Sequence, residues 1–464
     1  MKVKIIGGGL AGSEAALQLA KNNINVELYE MRPEKTTGAH QTDKLGELVC
    51  SNSLGSNDIG AASGLLKEEL RILDSFLIKF ADESSVPAGN ALAVDRDIFA
   101  EKITNAIKSN PYIKVFNEEI TEIPQDEPVI IASGPLTSEN LTKAIINFTG
   151  ADNLYFFDAI APIIEKNSVN FDKAFWASRY NKGEAAYINC PMNQEEYDRF
   201  YEILTTSPKI ELKSFEKDSK FFESCMPIEI MASRGKDTLR FGPLKPVGLV
   251  DERTNEKNFA VVQLRQDNKA ATLYNLVGFQ TNLKWGAQKE LIHSIPGLEN
   301  ASVVRYGVMH RNTFIHSPSV LEPTLQSKKR RDLFFAGQIS GVEGYTESIA
   351  TGLLAGINMS RFINNKNLLK LEPVSILGAL TSYITDCEQG LEGGGNDPST
   401  GMPFKASNQA SFRKNFQPIN SNWGILPPME LDKKTKKDKK LKNKLLADRS
   451  IDFVKNLDYL VVRE

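Results

Sequence analysis

The first thirty residues constrain this chain more than any other stretch. Val3 to Ile6 is an apolar, β-rich run, Gly7-Gly8-Gly9-Leu10-Ala11-Gly12 follows, Ser13 to Lys21 has helical spacing, and Asn25 to Glu30 reads as a second strand. Strand, glycine turn, helix and strand, in that order, form a βαβ dinucleotide-binding unit with an acid at its end. Each glycine has its own reason. Gly7 permits the tight turn, Gly9 lets the backbone approach a pyrophosphate, and Gly12 allows the helix to lie close to the strand. The stretch Gly7, Gly8, Gly9, Leu10, Ala11 and Gly12 therefore binds cofactor, with the helix N-terminus favouring phosphate charge. Glu30 would hold a ribose through its hydroxyls.

A second segment reads as the distant counterpart of the first. Asp332 to Ala336 is an apolar strand running into Gly337 and Gln338, then Gly341-Val342-Glu343-Gly344-Tyr345, and Ser348 to Phe362 has the spacing of a small-residue helix. Gly352 and Ala355-Gly356 would let that helix pack tightly, its first turn aimed back at the same cofactor. Two-segment dinucleotide folds of this kind usually hold FAD, so flavin is the expected cofactor. Between the halves, Leu239 to Phe241, Phe259 to Arg265 and Thr272 to Phe279 read as β-rich runs between charged or Gly/Pro turns. The expected fold class is α/β: a Rossmann-like FAD-binding domain of the glutathione-reductase type with an inserted α/β domain. At roughly 150 residues per domain, 464 residues accommodate this. The expected extents are 1–175 and 301–464 for the two parts of the FAD domain and 176–300 for the insertion.

Charge and cysteines narrow the function. The 56 basic and 58 acidic residues leave a net charge of −2, so a nucleic-acid partner must be met by a local basic patch. One candidate patch exists: Lys433, 434, 436, 437, 439, 440, 442 and 444, either a solvated helix face or a phosphate contact. No apolar run approaches the roughly 20 residues a bilayer span needs, and the N-terminus enters a strand without an apolar leader, which reads as cytoplasmic. Cys50, Cys190, Cys225 and Cys387 form no CxxC pair, which argues against a metal site. Each is by default a small buried hydrophobe.

Several longer strings go further. Glu47-Leu48-Val49-Cys50-Ser51-Asn52-Ser53, Phe222-Glu223-Ser224-Cys225-Met226-Pro227-Ile228-Glu229, Leu239 to Leu249 (LRFGPLKPVGL), Val261 to Asn268 (VVQLRQDN), Gly278 to Leu283 (GFQTNL), Arg305 to Thr313 (RYGVMHRNT) and Phe416 to Asn420 (FQPIN) occur in order along nearly the whole chain. Together they resemble the folate- and FAD-dependent tRNA uracil-5-methyltransferases of the TrmFO type. The resemblance implies that 5,10-methylenetetrahydrofolate supplies one carbon, reduced FAD carries it and supplies electrons, NAD(P)H reduces the flavin, and a uridine of the tRNA T loop (position 54) becomes 5-methyluridine. The glycine-rich stretch from Gly390 to Gly401 and the lysine-dense tail depart from the family pattern, leaving an rRNA uridine open as the alternative substrate. A flavoprotein that binds RNA without methylating it, and a simple flavin reductase, are the rivals from other classes.

The resemblance also implies roles. Uracil C5 is a poor nucleophile until a thiolate adds at C6 and makes the ring an enolate, and a thiol suits this because it adds and leaves readily. The family's two functional cysteines fall on Cys225, expected as the nucleophile, and on Cys50, expected in proton transfer at C5 or in protecting the flavin-borne carbon. Cys190 and Cys387 remain structural thiols. Tyr345 would stack on the flavin or pack as an amphipathic aromatic. His310, Arg311 and Asn312 could bind folate carboxylates, RNA phosphate or the flavin's pyrimidine edge, or simply end a strand. Arg96 is either a substrate contact or an ion-paired scaffold residue.

Overall fold

The computed structural model describes residues 2–150, 161–180, 184–210, 226–254, 257–307, 312–385, 416–432, 435 and 438–457, with the backbone of 154–159, 181 and 309–311. Its centre is a parallel five-stranded sheet in the order Leu333–Phe335, Val129–Ile131, Lys2–Ile6, Asn25–Glu30, Ile113–Asn117. The two segments predicted to meet do meet. The return strand pairs in parallel with Val129–Ile131, which pairs with the first strand. A parallel sheet is covered on both faces, and its strands are accordingly continuous apolar runs: Val129, Ile130, Ile131, Leu333, Phe334 and Phe335 are all fully buried.

Two helices close one face, Leu10–Lys21 and Tyr345–Ile363. The second begins three residues before the position read from spacing, because Tyr345, Thr346 and Glu347 already form its first turn. The helices touch through backbone rather than side chains. A Cβ on Gly352 would lie 2.3 Å from the Ala11 carbonyl oxygen, and one on Gly356 2.9 Å from that of Ala15.

The inserted region is a six-stranded antiparallel sheet, ordered Phe175–Ala177, Tyr187–Met192, Ala260–Gln266, Leu273–Leu276, Ile163–Glu165, Val303–Arg305. Helices Gln194–Thr206, Ile228–Ser233 and Trp285–His293 contribute to its own core. Ile163–Glu165 and Val303–Arg305 belong to this sheet although they lie outside 176–300. The runs at Phe259 and Thr272 are strands, but Leu239 to Phe241 is not: Thr238–Phe241 forms one helical turn between Gly235 and Gly242. There Leu239 is buried and Phe241 is left 82% exposed. A three-residue apolar run cannot declare its own period. An antiparallel ribbon, Leu154–Ala159 with Met309–Phe314, carries the chain out to the insertion and back. No described helix is long and apolar enough to cross a membrane.

Candidate active site

The glycine turn builds the first half of the site. Gly7 takes φ +106°, a conformation that L side chains rarely adopt, and a Cβ there would lie 2.5 Å from the Ala132 carbonyl oxygen. At Gly12 a Cβ would come within 1.9 Å of the Gly7 carbonyl oxygen, so helix and turn are in backbone contact. Gly9 differs. A Cβ there would meet no protein atom within 4 Å, so the helix's first turn opens into a cleft of about 970 Å³ whose lining includes Gly7, Gly9, Leu10, Ala11, Glu30, Ser133, Gly337, Gln338 and Tyr345. An open cradle at a helix N-terminus fits the pyrophosphate of a dinucleotide.

Glu30 faces this cleft but also braces it. Its Oε2 accepts the Gly8 N–H at 3.0 Å, and its Oε1 accepts the Arg32 N–H at 3.1 Å and Nε–H at 2.9 Å. Burial opposes its ionisation, yet the bonds from Arg32 and Gly8 and the Arg32 charge hold the carboxyl below its ordinary range. Arg32 in turn donates to Glu47 at 3.2 Å. Sequence reading missed Arg32 and Glu47. It also missed His40, whose imidazole lines the cleft and is pushed down to about 4 by burial and by the Arg32 charge, hence neutral near pH 7.

A second cavity of about 1320 Å³ adjoins the first, and Val49, Pro135, Leu136, Gln338 and Tyr345 line both. Cys50 lines the second. Its N–H donates to the Tyr345 hydroxyl at 2.7 Å, and its carbonyl accepts Arg96 Nη2 at 3.0 Å. Tyr345 thus ties Cys50 to the start of the return helix. Arg96 takes the scaffold arrangement: it pairs with Asp267 at 3.1 Å and donates to the Leu48 carbonyl at 2.8 Å. Burial opposes its charge, but Asp267 outweighs that and raises its pKa.

The inserted sheet is bolted to the same loop. Asn52 Nδ2 donates to the Gln266 carbonyl at 2.9 Å, Asn275 Nδ2 to Asn52 Oδ1 at 3.2 Å, and Arg265 Nη2 to the Ser51 hydroxyl at 2.8 Å. Asn312, 2% exposed, lines the second cavity, as do Gln280, Glu343 and Glu347. Lys67 sits just behind this wall, donating to the carbonyls of Leu54 (2.7 Å) and Ser63 (2.9 Å); burial pushes it down to about 8 against the attraction of Glu347.

Cys225 lies outside the described residues, as does Cys387. The chain leaves the described region at Ile210, whose N–H donates to the Asn282 carbonyl at 2.9 Å, and re-enters at Met226. Ile228 N–H then donates to the Gln280 carbonyl at 2.7 Å. The buried Glu229 carboxylate accepts Asn282 N–H (2.7 Å) and Thr281 Oγ1 (2.9 Å). Ile210 and Ile228 are thus both fastened to the strip Gln280–Asn282. His310 and Arg311 pair in the ribbon with Asp158 and Phe157; their side chains also lie outside the described residues. Cys190 is fully buried, and burial pushes its thiol far up, as suits a structural thiol.

Fold and cleft define a two-segment, Rossmann-like FAD-binding protein of mixed α/β class. A family model described as GIDA, glucose inhibited division protein A, matches residues 2–367. Two crystal forms of Aquifex aeolicus GidA resemble the structure with TM-scores of 0.64 and 0.63 at 17% identity, covering 99% of this chain and 76% and 78% of theirs; this likeness concerns the fold. The methylenetetrahydrofolate–tRNA-(uracil-5-)-methyltransferases TrmFO of Halalkalibacterium halodurans and Bacillus anthracis are each 55% identical over 454 residues, 98% of this chain and 98% of theirs. The chain belongs to the glucose inhibited division protein A family and, within it, to the TrmFO type.

Proposed function

We propose that this protein methylates C5 of a tRNA T-loop uridine, position 54, with 5,10-methylenetetrahydrofolate as carbon donor and NAD(P)H as the source of electrons. The observation that carries this reading is the 55% identity, over 98% of both chains, to proteins named for folate-dependent tRNA uracil-5 methylation. The adjoining cavities support it, since one accommodates a dinucleotide while the other exposes Cys50. Gly7 to Gly12, Glu30, Gly337 and Gln338 would hold FAD, which would supply carbon transfer and reducing electrons.

The chain's own residues do the rest. The Cys225 thiolate adds to uracil C6, which makes C5 nucleophilic, and it departs once the C5 proton is lost. Cys50, braced by Tyr345 and Arg96, serves the later proton transfer at C5 or keeps water from the reacting carbon. Arg96 acts as a positioning residue through the Cys50 carbonyl.

RNA needs a surface as well as a pocket. Lys439, Lys440, Lys442 and Lys444 are exposed on the helix Lys439–Lys455 and make no ion pair among the described residues; Lys433, Lys434, Lys436 and Lys437 lie outside those residues. Asn443 on the same turn donates to the Gly60 carbonyl at 3.3 Å, and Gly60 is three positions before Ser63 of the second cavity. The exposed Trp285 ring is stacked on Tyr306 at 5.7 Å, beside Arg305, which donates to the Val49 carbonyl at 3.0 Å. Lysines and an exposed aromatic face suit a backbone and unpaired bases respectively.

The test is a covalent trap. A T-loop RNA carrying 5-fluorouridine should form a gel-stable adduct with the wild type, since fluorine cannot leave as the proton does. Cys225→Ser should stay yellow and trap none, and Cys50→Ser should still trap. An adduct that persists in Cys225→Ser and vanishes in Cys50→Ser would reverse the two roles; no methyl transfer from folate by the wild type would end the reading.

A further inference from the structure

Arg265 is the cation of the second cavity that the architecture leaves largely unengaged. It lies on the central strand Ala260–Gln266 of the inserted sheet, on the face shared with Gln263, and lines the cavity with Cys50. Of its five N–H donors, the described residues use only those on Nη2, which reaches Ser51 Oγ at 2.8 Å and Asn275 Oδ1 at 3.3 Å. Its Nε is buried with no hydrogen-bond partner among the described residues. Nor does any described carboxylate form a salt bridge with it. Asp267, just beyond the end of the strand, is taken by Arg96 through Nε and Nη2.

Such an arrangement costs stability. A buried donor without an acceptor costs about 1–3 kcal/mol, and more when charged, and natural folds rarely leave one without a reason. Burial also works against the charge, lowering the pKa of Arg265 from its usual value, although a guanidinium remains protonated. Nε itself is sealed, but the Nη1 donors also find no partner among the described residues, and an acceptor arriving from the cavity would engage them and offset the buried charge.

We propose that Arg265 binds the 4-oxygen of the target uracil and stabilises the negative charge that appears there when a thiolate adds to C6. The inference rests on the function proposed above. In the step concerned, the sulfur–C6 bond forms while the C5=C6 π pair shifts toward C5 and, through C4, onto the 4-oxygen. Nothing is oxidised or reduced, and no group leaves until the C5 proton departs. A fixed N–H donor and positive charge at that oxygen lower the barrier to addition, as other preorganised oxyanion donors do. The Ser51 contact gives the guanidinium its aim: the loop that carries Cys50 also carries the hydroxyl that orients Arg265.

The experiment compares wild type, Arg265→Gln and Arg265→Lys, each loaded with FAD and checked for flavin content and melting temperature. The first readout is the rate of adduct formation with 5-fluorouridine T-loop RNA. The expected loss in Arg265→Gln is roughly 100- to 1000-fold, with partial recovery in Arg265→Lys, which restores the charge without the fork. The second readout is equilibrium binding of two T-loop RNAs, one with uridine and one with a 2-pyrimidinone nucleoside that lacks the 4-oxygen. Wild type should prefer uridine, and Arg265→Gln should bind both alike. This ratio stays informative even where the variant binds all RNA less well.

Adduct formation at the wild-type rate in Arg265→Gln, or a retained uridine preference, would overturn the proposal. So would a raised KM for methylenetetrahydrofolate with addition unchanged, which would make Arg265 a folate-carboxylate contact. Absence of any adduct in wild type would instead remove the underlying function and the proposal with it.

Discussion

The two glycines at the start of the first helix offer the same perturbation with opposite expected results. Gly9→Ala places a methyl group where no protein atom lies within 4 Å, at φ −74° and ψ −166°, an extended backbone open to any residue. Restricting the unfolded chain stabilises by about 0.4–1 kcal/mol, and losing glycine from an N-cap costs a comparable amount. The flavin-free protein should therefore melt within a few degrees of wild type. Gly12→Ala drives its methyl to 1.9 Å from the Gly7 carbonyl oxygen and 3.3 Å from Ile5 Cγ2. Relieving that requires helix and turn to separate, at about 1–3 kcal/mol or more, or a drop of roughly 2–12 °C for a domain of this size. Flavin affinity should respond in the other order of cleanliness. The Gly9→Ala methyl occupies the pyrophosphate's approach and should cost at least one charged hydrogen bond, about 1.5–3 kcal/mol, or roughly a 10- to 150-fold rise in Kd. Scanning calorimetry of the flavin-free proteins and fluorescence titration with FAD measure both. Wild-type FAD affinity in Gly9→Ala, or wild-type melting in Gly12→Ala, would refute the assignment of cradle and contact.

Two further predictions concern the C-terminal helix. Deleting it would uncover Leu446, Ala447 and Val454, so the cleaner probe is Lys→Gln at 439, 440, 442 and 444 together. This should weaken T-loop RNA binding and flatten the plot of log K against log salt by up to about 0.7–0.9 for each phosphate that is no longer neutralised; an unchanged slope would make the lysines a solvated face. Beneath that helix the fully buried Glu69 carboxyl accepts N–H bonds from Ile376 (2.6 Å) and Leu377 (2.9 Å) and a bond from the Ser450 hydroxyl, and burial pushes it up to about 7. The folded protein therefore holds this proton more tightly than the unfolded chain does. Its contribution is complete below about pH 4.5, the ordinary value, and is lost as pH rises through about 7. Amide exchange of 439–455 should quicken between pH 5 and 8 beyond the intrinsic base catalysis, and Glu69→Gln should remove that excess. The same excess in the variant would assign it to another group.

How much of the molecule is legible in the sequence follows from the range of the interactions involved. Strand, turn and helix between Lys2 and Glu30 are set by neighbours in sequence, and their bounds are readable to within a few residues. The return strand is readable because an apolar run ending in glycine is also a local pattern. Ile163–Glu165 and Val303–Arg305 are not, since three-residue strands become strands only by pairing, here Val303–Arg305 with Ile163–Glu165 and the latter with Leu273–Leu276. Arg96 can be narrowed to two roles, but its partner Asp267 lies 171 positions away. Arg265 stands within the run Val261 to Asn268 without distinction, because a guanidinium lacking an acceptor has no sequence signature. Glu47 and His40 likewise become part of the cleft only once Arg32 is buried beside them.

The close seam between the first helix and the one beginning at Tyr345 has a consequence for how the protein is made. Val129–Ile131 leaves the ribosome early, yet its partner Leu333–Phe335 follows roughly 200 residues later, which at about 5–20 residues per second is some 10–40 seconds of synthesis. Throughout that interval one side of an apolar strand has no neighbour, a template for pairing with other chains. The nucleotide cradle is equally unfinished, because Gly337 and the Gly352 face of the seam have yet to be translated. Cofactor capture thus belongs to the end of synthesis, after the insertion has formed its own core, and a nascent chain stalled before residue 333 should depend on holding chaperones rather than on flavin for its solubility.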